Sequence, residues 1–226
     1  MPGKLYIVST PIGNLKDITL RAIETLNEVD FILCEDTRVS SILLKHYNVI
    51  KQLISFNAVS ETKKIPVIIE RLLLGQSYAL ISDSGTPAIS DPGIRLVSES
   101  IKNGIEVISI PGATALIAAL TISGLPTDSF VFEGFLPQKK GRQKKLKELS
   151  SVERTIVLYE SSHRITKLID QLVEYFPERY VVVCRELTKK FEESWRGYPA
   201  ELKEKLEEKI IKGEFVVVIA NSNWKN

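Results

Sequence analysis

Three short segments in the first half of the chain combine residues suited to holding a small polar ligand: TPIGN at Thr10 to Asn14, SDSGTPAISDPG at Ser82 to Gly93, and PGATA at Pro111 to Ala115. Each stands behind an apolar, strand-like run. In the central one, Gly85, Pro87, Pro92 and Gly93 forbid a strand or a helix from running on through the loop. Backbone N–H groups in tight glycine turns bind a carboxylate or a ribose hydroxyl, and Asp83 at a strand end accepts a hydrogen bond from a hydroxyl or an amine. No GxGxxG follows the first strand-like run and GxxxxGKS/T is absent, so neither the usual dinucleotide fingerprint nor a Walker-type phosphate cradle is available. The competing reading of the central loop is an ordinary capped turn into the next helix.

The second half offers charged groups. YESSHR follows the run TIVL and RELTKK continues YVVVC, which places Glu160, His163, Arg164, Arg185, Glu186 and Lys189 at strand ends where side chains can meet. Charges beside apolar strands need partners, because burying them unpaired is costly; those partners are either one another or an anionic substrate. The run KKGRQKKLK adds Lys139, Lys140, Arg142, Lys144, Lys145 and Lys147 with no acid among them, either a solvated helix face or a polyanion contact.

The elements that must position these groups alternate. The runs LYIVST, FILCED, YALISD and EVISIPG precede the apolar stretch ATALIAALTISG, and FVFEGF, TIVLYES, YVVVCREL and EFVVVIA follow it, with helical patterns between, so the pattern predicts α/β units with mostly parallel or mixed sheets. Asp17 is placed to cap a first helix, another helix is expected after Pro66, and a third between Pro92 and Gly104. Glu201/Lys205 and Glu208/Lys212 have the spacing of ion pairs on an exposed helix. Grouping gives two α/β domains, residues 1–115 and 116–226, with a ligand expected between them. In an open parallel sheet all strands end at one edge, so the three loops of the first half converge on a crevice there.

Composition bounds the class. At 226 residues with 44% hydrophobic content the chain can fill two cores. Cys34 and Cys184 sit inside apolar runs and read as small buried thiols rather than a disulfide framework, and with only His46 and His163 to join them a metal site is not expected. Net charge is +2, but residues 1–113 carry 11 basic and 12 acidic side chains against 19 and 16 in the remainder. With no long apolar run and no signal-peptide pattern, a cytoplasmic location is the expectation.

The order STPIGNLKDIT, CEDTR, SDSGTPAISDPG, PGATA, GFLP, YESSHR, RELTKKFEE and GEFVVV resembles the ribosomal RNA small-subunit methyltransferase I family of the tetrapyrrole methylase superfamily, from Leu5 to about Val218. The resemblance implies a class III methyltransferase fold and a homodimer, with S-adenosylmethionine held in the interdomain cleft and no metal. It implies 2'-O-methylation of a cytidine in small-subunit ribosomal RNA, within the assembled subunit. Donor contacts would fall on Pro11, Gly13, Asp83, Gly85, Thr86, Ala88, Gly112, Ala113 and Thr114, with Leu158, Tyr159, Leu187, Phe215 and Val216 closing the other side. Ser84 stands where many relatives are expected to carry Ala, a small-for-small change.

A protonated ribose hydroxyl is a poor nucleophile, so a group able to take its proton is expected, with Glu160, His163, Glu186 and Lys189 as candidates; Arg164 and Arg185 suit phosphates or the orienting of a carboxylate. Tetrapyrrole methylation on the same scaffold is the rival enzyme, and a non-catalytic RNA-binding module the rival of another class. The basic run favours RNA, since cations that neutralise phosphates release counterions.

Overall fold

The computed structural model describes residues 1–207 and 211–225, and the chain divides into two compact units, Met1–Thr114 and Ala115–Asn226. Unit one is a five-stranded parallel sheet of β1 (Leu5–Val8), β2 (Phe31–Cys34), β3 (Gln52–Ser55), β4 (Tyr78–Ile81) and β5 (Val107–Ile110), in the order β3-β2-β4-β1-β5. Helices cover both faces, which is why β4 can be four consecutive buried apolar residues. On one face α1 (Leu20–Glu28) and α2 (Thr37–His46) bring Ala22, Leu26 and Leu44 against Val8, Ile32, Cys34 and Ile81. On the other, α3 (Glu61–Leu73) and α4 (Ile94–Lys102) bring Ile65, Ile69, Leu72 and Leu96 against Leu5, Leu33, Tyr78 and Leu80. The neighbours β1 and β4 therefore send their following helices to opposite faces, which opens a crevice at their carboxyl ends.

Unit two packs α5 (Ala115–Ser123), α6 (Arg142–Ser150), α7 (Ile165–Tyr175) and α8 (Pro199–Glu207) with a mixed sheet of β6 (Phe130–Phe135), β7 (Thr155–Ser161), β8 (Val181–Arg185), β9 (Glu193–Gly197) and β10 (Glu214–Ile219). The order is β6-β7-β10-β8-β9, and only β6 and β7 are parallel; the other three pairings are antiparallel. The core lies between β7, β8 and β10 and the apolar faces of α6, α7 and α8, with Leu146, Leu158, Leu168, Val183, Leu202 and Val217 fully buried.

Several expectations are corrected. Each sheet has five strands rather than four, because β3 and β9 are edge strands whose sequences, QLIS and ESWRG, need only half an apolar face. The second sheet is mainly antiparallel, which apolar runs alone do not reveal. Thr19, not Asp17, caps the first helix, its hydroxyl accepting from the Ala22 N–H at 3.1 Å. Pro66 lies inside α3 rather than before it. Glu201 accepts from the Tyr198 N–H and Lys205 donates to the Arg196 carbonyl, in place of the expected Glu201/Lys205 pair. Glu208 of the second expected pair lies outside the described residues. Cys34 and Cys184 are buried free thiols whose pKa burial pushes up.

Candidate active site

The three loops of unit one follow β1, β4 and β5, neighbours in the sheet, and they are laced together. The Thr10 N–H donates to the Gly85 carbonyl at 2.9 Å, and its hydroxyl donates to the Ser82 carbonyl at 2.9 Å. Ser9 and Thr86 share a hydroxyl hydrogen bond of 2.9 Å, and Thr86 donates on to the Ala113 carbonyl at 3.2 Å. These hydroxyls satisfy carbonyls that the sheet leaves behind at its edge, and so fix three loops as one rigid rim. Two glycines are demanded by close approach. A Cβ on Gly112 would stand 2.9 Å from that of Ser9, and Gly85, at φ +85°, would press one against Ile12 at 3.2 Å. Ala88 (φ 65°) and Ser90 (φ 61°) hold left-handed backbone without being glycine, an expense of strain concentrated in this one loop.

The rim is acidic. Asp83 accepts from the Asp36 N–H at 3.2 Å through Oδ1, and the Ser82 hydroxyl donates to Asp91 at 2.5 Å. Burial, with Asp91, Asp83 and Asp36 nearby, pushes the Glu35 carboxyl up. Burial likewise raises Asp91, with Asp83 adding to it and the Ser82 hydrogen bond opposing. Asp36 differs, since its own Arg38 bonds it and draws it down to about 2. Two carboxylates at the rim thus lack the countercharge they would favour, and a ligand bearing positive charge supplies it.

The predicted residues of this unit fall where the loops meet: Pro11, Gly85, Thr86 and Ala113 within the laced set, and Gly13, Gly112 and Thr114 along its margin. Ser9, Thr10, Glu35 and Asp91 were not singled out by the sequence reading. The signal for the first two was their position, hydroxyl residues directly after a central strand.

The charged candidates of unit two are mostly occupied. Glu160 is buried at the end of β7, where Arg142 reaches it at 3.1 Å, Arg164 at 2.8 Å and the Ser161 N–H at 2.9 Å. Arg142 also donates to Gln171 at 2.8 Å and is only 3% exposed, so it leaves the basic surface to which the sequence had assigned it. Arg185 is buried and donates to Glu193 and to the Lys212 carbonyl. Burial acts to raise Glu186, but bonds from Lys189 and the Glu214 N–H outweigh it and the carboxyl lies below its usual range. Burial acts to lower Lys189, and its bonds to Glu214 and Glu186 overcome that and raise it. His163 is exposed in the turn before α7. Leu158, Leu187, Phe215 and Val216 are buried, while the Tyr159 hydroxyl accepts from the Leu116 N–H at the start of α5.

In the basic run, Lys145 is paired with Glu133 at 3.1 Å and Glu148 at 3.4 Å; these acids lie outside the run in sequence but beside it in space. Lys139, Lys140, Lys144 and Lys147 are exposed, Lys144 standing 4.0 Å from Glu148. Among the described residues no group of three or more His, Cys, Asp or Glu is placed to hold a metal ion, and no helix is long and apolar enough to cross a membrane.

Residues 4–203 match the family model for tetrapyrrole (corrin/porphyrin) methylases. Solved structures share the fold at low identity: a cobalt precorrin-4 methyltransferase (19% identical, TM-score 0.71, covering 96% of this chain and 94% of that one), and the Thermus thermophilus uroporphyrin-III C-methyltransferase complexed with S-adenyl homocysteine (18%, TM-score 0.66, covering 96% and 97%). Much higher identity is found with proteins called ribosomal RNA small subunit methyltransferase I. That of Thermotoga maritima is 46% identical, covering 96% of this chain and 98% of its own; that of Synechocystis is 49% identical, covering 97% and 80%. The chain belongs to the tetrapyrrole methylase family and, within it, to the ribosomal RNA small subunit methyltransferase I family.

Proposed function

We propose that this protein transfers a methyl group from S-adenosylmethionine to small-subunit ribosomal RNA, and that the acceptor is the 2'-hydroxyl of a cytidine. The observation that carries the reading is the near-full-length similarity to relatives bearing that name, at 46% to 49% identity. The donor is assigned to the laced loops of unit one, Pro11 and Gly13, Asp83 to Ala88, and Gly112 to Thr114. Their chemistry supports this: a rigid rim of glycine and hydroxyl residues suits a nucleoside and an amino acid, and carboxylates without countercharge suit a sulfonium and an ammonium. A rigid rim also serves the chemistry, because transfer from a sulfonium depends on holding donor and acceptor in line.

The acceptor proton is assigned to His163. Glu160 is held by two guanidinium groups, Glu186 lies below its ordinary range and Lys189 above, all of which disfavour taking up a proton at neutral pH. The exposed lysines from Lys139 to Lys147 are assigned to the RNA backbone. The protein acts in the cytoplasm on the assembled subunit, as a homodimer. An argument for the dimer is α5, apolar on all sides, which leaves Ile117 and Ile122 exposed on the single chain.

Labelled methyl transfer from S-adenosylmethionine to purified small subunits, naked ribosomal RNA and a carboxylated tetrapyrrole tests the reading. Label in the subunit, recovered as a 2'-O-methylcytidine after digestion, is the expected result. Label in the tetrapyrrole alone would assign the chain to the other chemistry of its superfamily, and donor binding without transfer to any acceptor would leave only a binding module.

A further inference from the structure

Phe135 ends β6, an edge strand, with a register shift just before it. Phe132 pairs with Val157 and Gly134 with Leu158, so Glu133 is the extra residue of a bulge, and Phe135 then pairs with Tyr159. In a regular strand, residues three apart point to opposite faces. The bulge cancels that alternation and brings both Phe132 and Phe135 against Tyr159, with ring centroids at 4.9 and 5.7 Å. Phe135 is nevertheless 51% exposed. The Arg164 guanidinium lies 5.7 Å from its ring centroid, and Arg164 is itself fixed by Glu160 at 2.8 Å and the Leu136 carbonyl at 3.1 Å. A large apolar ring is thus held in water by a bulge, a second ring and an anchored cation, and the chain leads from it through Leu136 and Pro137 to the exposed Lys139 and Lys140.

We infer that Phe135, with Arg164 beside it, is a stacking shelf for an unpaired base of the RNA substrate. Aromatic rings and guanidinium planes are the surfaces on which splayed-out RNA bases stack, and a neighbouring basic segment supplies the contacts to the phosphates on either side. A base within a duplex has no free face to offer, so the shelf selects single-stranded RNA. Glu160 is then a positioning residue that holds Arg164 in place.

The inference rests on the RNA reading above, and the test separates the two. Binding of a ten-nucleotide single-stranded oligoribonucleotide, and of the same sequence as a duplex, is compared for the wild type, Phe135→Ala and Phe135→Trp. Stacking of one base is worth about 1–3 kcal/mol, so Phe135→Ala should weaken single-strand binding roughly 5- to 150-fold, leaving duplex binding, the salt slope and S-adenosylmethionine affinity unchanged. Phe135→Trp should retain the affinity, and its additional fluorescence should be quenched by the single strand. If the wild type binds neither RNA, the RNA reading fails and the shelf with it. Should the wild type bind the single strand and Phe135→Ala bind it equally, the shelf alone is refuted; a change of sedimentation in that variant would show that the ring serves a protein contact instead.

Discussion

The polar groups at the strand ends of the two units are used in opposite ways. In unit one the loops after β1, β4 and β5 are joined by neutral hydroxyl-to-carbonyl bonds, while Glu35 and Asp91 are left with raised pKa values and no cation of their own. In unit two the buried charges close into sets: Arg142 and Arg164 on Glu160, Arg185 on Glu193, and Lys189 on Glu186 and Glu214. Even Arg179, which burial lowers to about 10, is enclosed by the carbonyls of Val152, Arg154 and Ala220. Perturbed groups mark a ligand site only where the protein leaves them unanswered; where it answers them itself they fasten the fold.

The sharpest test of that contrast is Glu160→Gln. Removing one partner of a buried ionic set leaves two arginines uncompensated, one of them only 3% exposed, and a loss of about 3–5 kcal/mol in urea unfolding is expected. Replacing Glu160 and Arg142 together with apolar residues should recover much of it. A catalytic role alone would remove activity and leave stability untouched.

Gly112→Ala comes next. Its Cβ would stand 2.9 Å from that of Ser9, so the first and third loops must separate, at a cost of about 1–3 kcal/mol. Calorimetry should show S-adenosylmethionine binding weakened well beyond the loss of stability, because the loops form the assigned donor rim. Equal donor affinity would detach that rim from the donor.

Acid titration of stability gives a smaller effect that differs in sign between the units. Asp91 is raised in the folded state, so its charge destabilises above its folded pKa and that penalty fades as pH falls toward the ordinary carboxylate range. Glu186 is lowered, so its contribution is present above its unfolded pKa and is lost as pH falls through the folded one. Asp91→Asn should therefore gain stability at pH 7 and lose that gain on acidification. Glu186→Gln should be destabilised at pH 7, by no more than about 1 kcal/mol for so exposed a pair, and converge with the wild type in acid. Slopes of the same sign would end the contrast.

Much of this was legible from residue order. Apolar runs such as YALI and VVVC announce strands buried on both faces, and Gly and Pro behind them announce loops, because both signals are local. The sequence missed β3 and β9 because edge strands need little apolar content, and it missed the antiparallel pairing because direction depends on which strand lies alongside. Arg142 was misassigned for the same kind of reason: nothing in KKGRQKKLK distinguishes the arginine that turns inward to Glu160 from the lysines that do not. The bulge that turns Phe135 outward is equally invisible in FVFEGF, since it exists only in the pairing with β7.

Counterion release separates the lysines that this run leaves free from the one it does not. Lys144 is 84% exposed on its side chain, and its acidic neighbour, Glu148, stands 4.0 Å away, whereas Lys145 is 32% exposed and held by both Glu133 and Glu148. A lysine already answered by two carboxylates has little condensed counterion to displace from a phosphate. Replacing Lys144 or Lys147 with glutamine should therefore lower the salt slope of RNA binding by roughly one unit each, across all sequences, and Lys145→Gln should leave it nearly unchanged. Donor affinity should hold in all three variants, because none of these residues belongs to the loops of unit one. An equal loss of slope from Lys145 would mean that its pairs open when RNA binds, and the unit's charges would then be less firmly closed than the geometry of Glu160 implies.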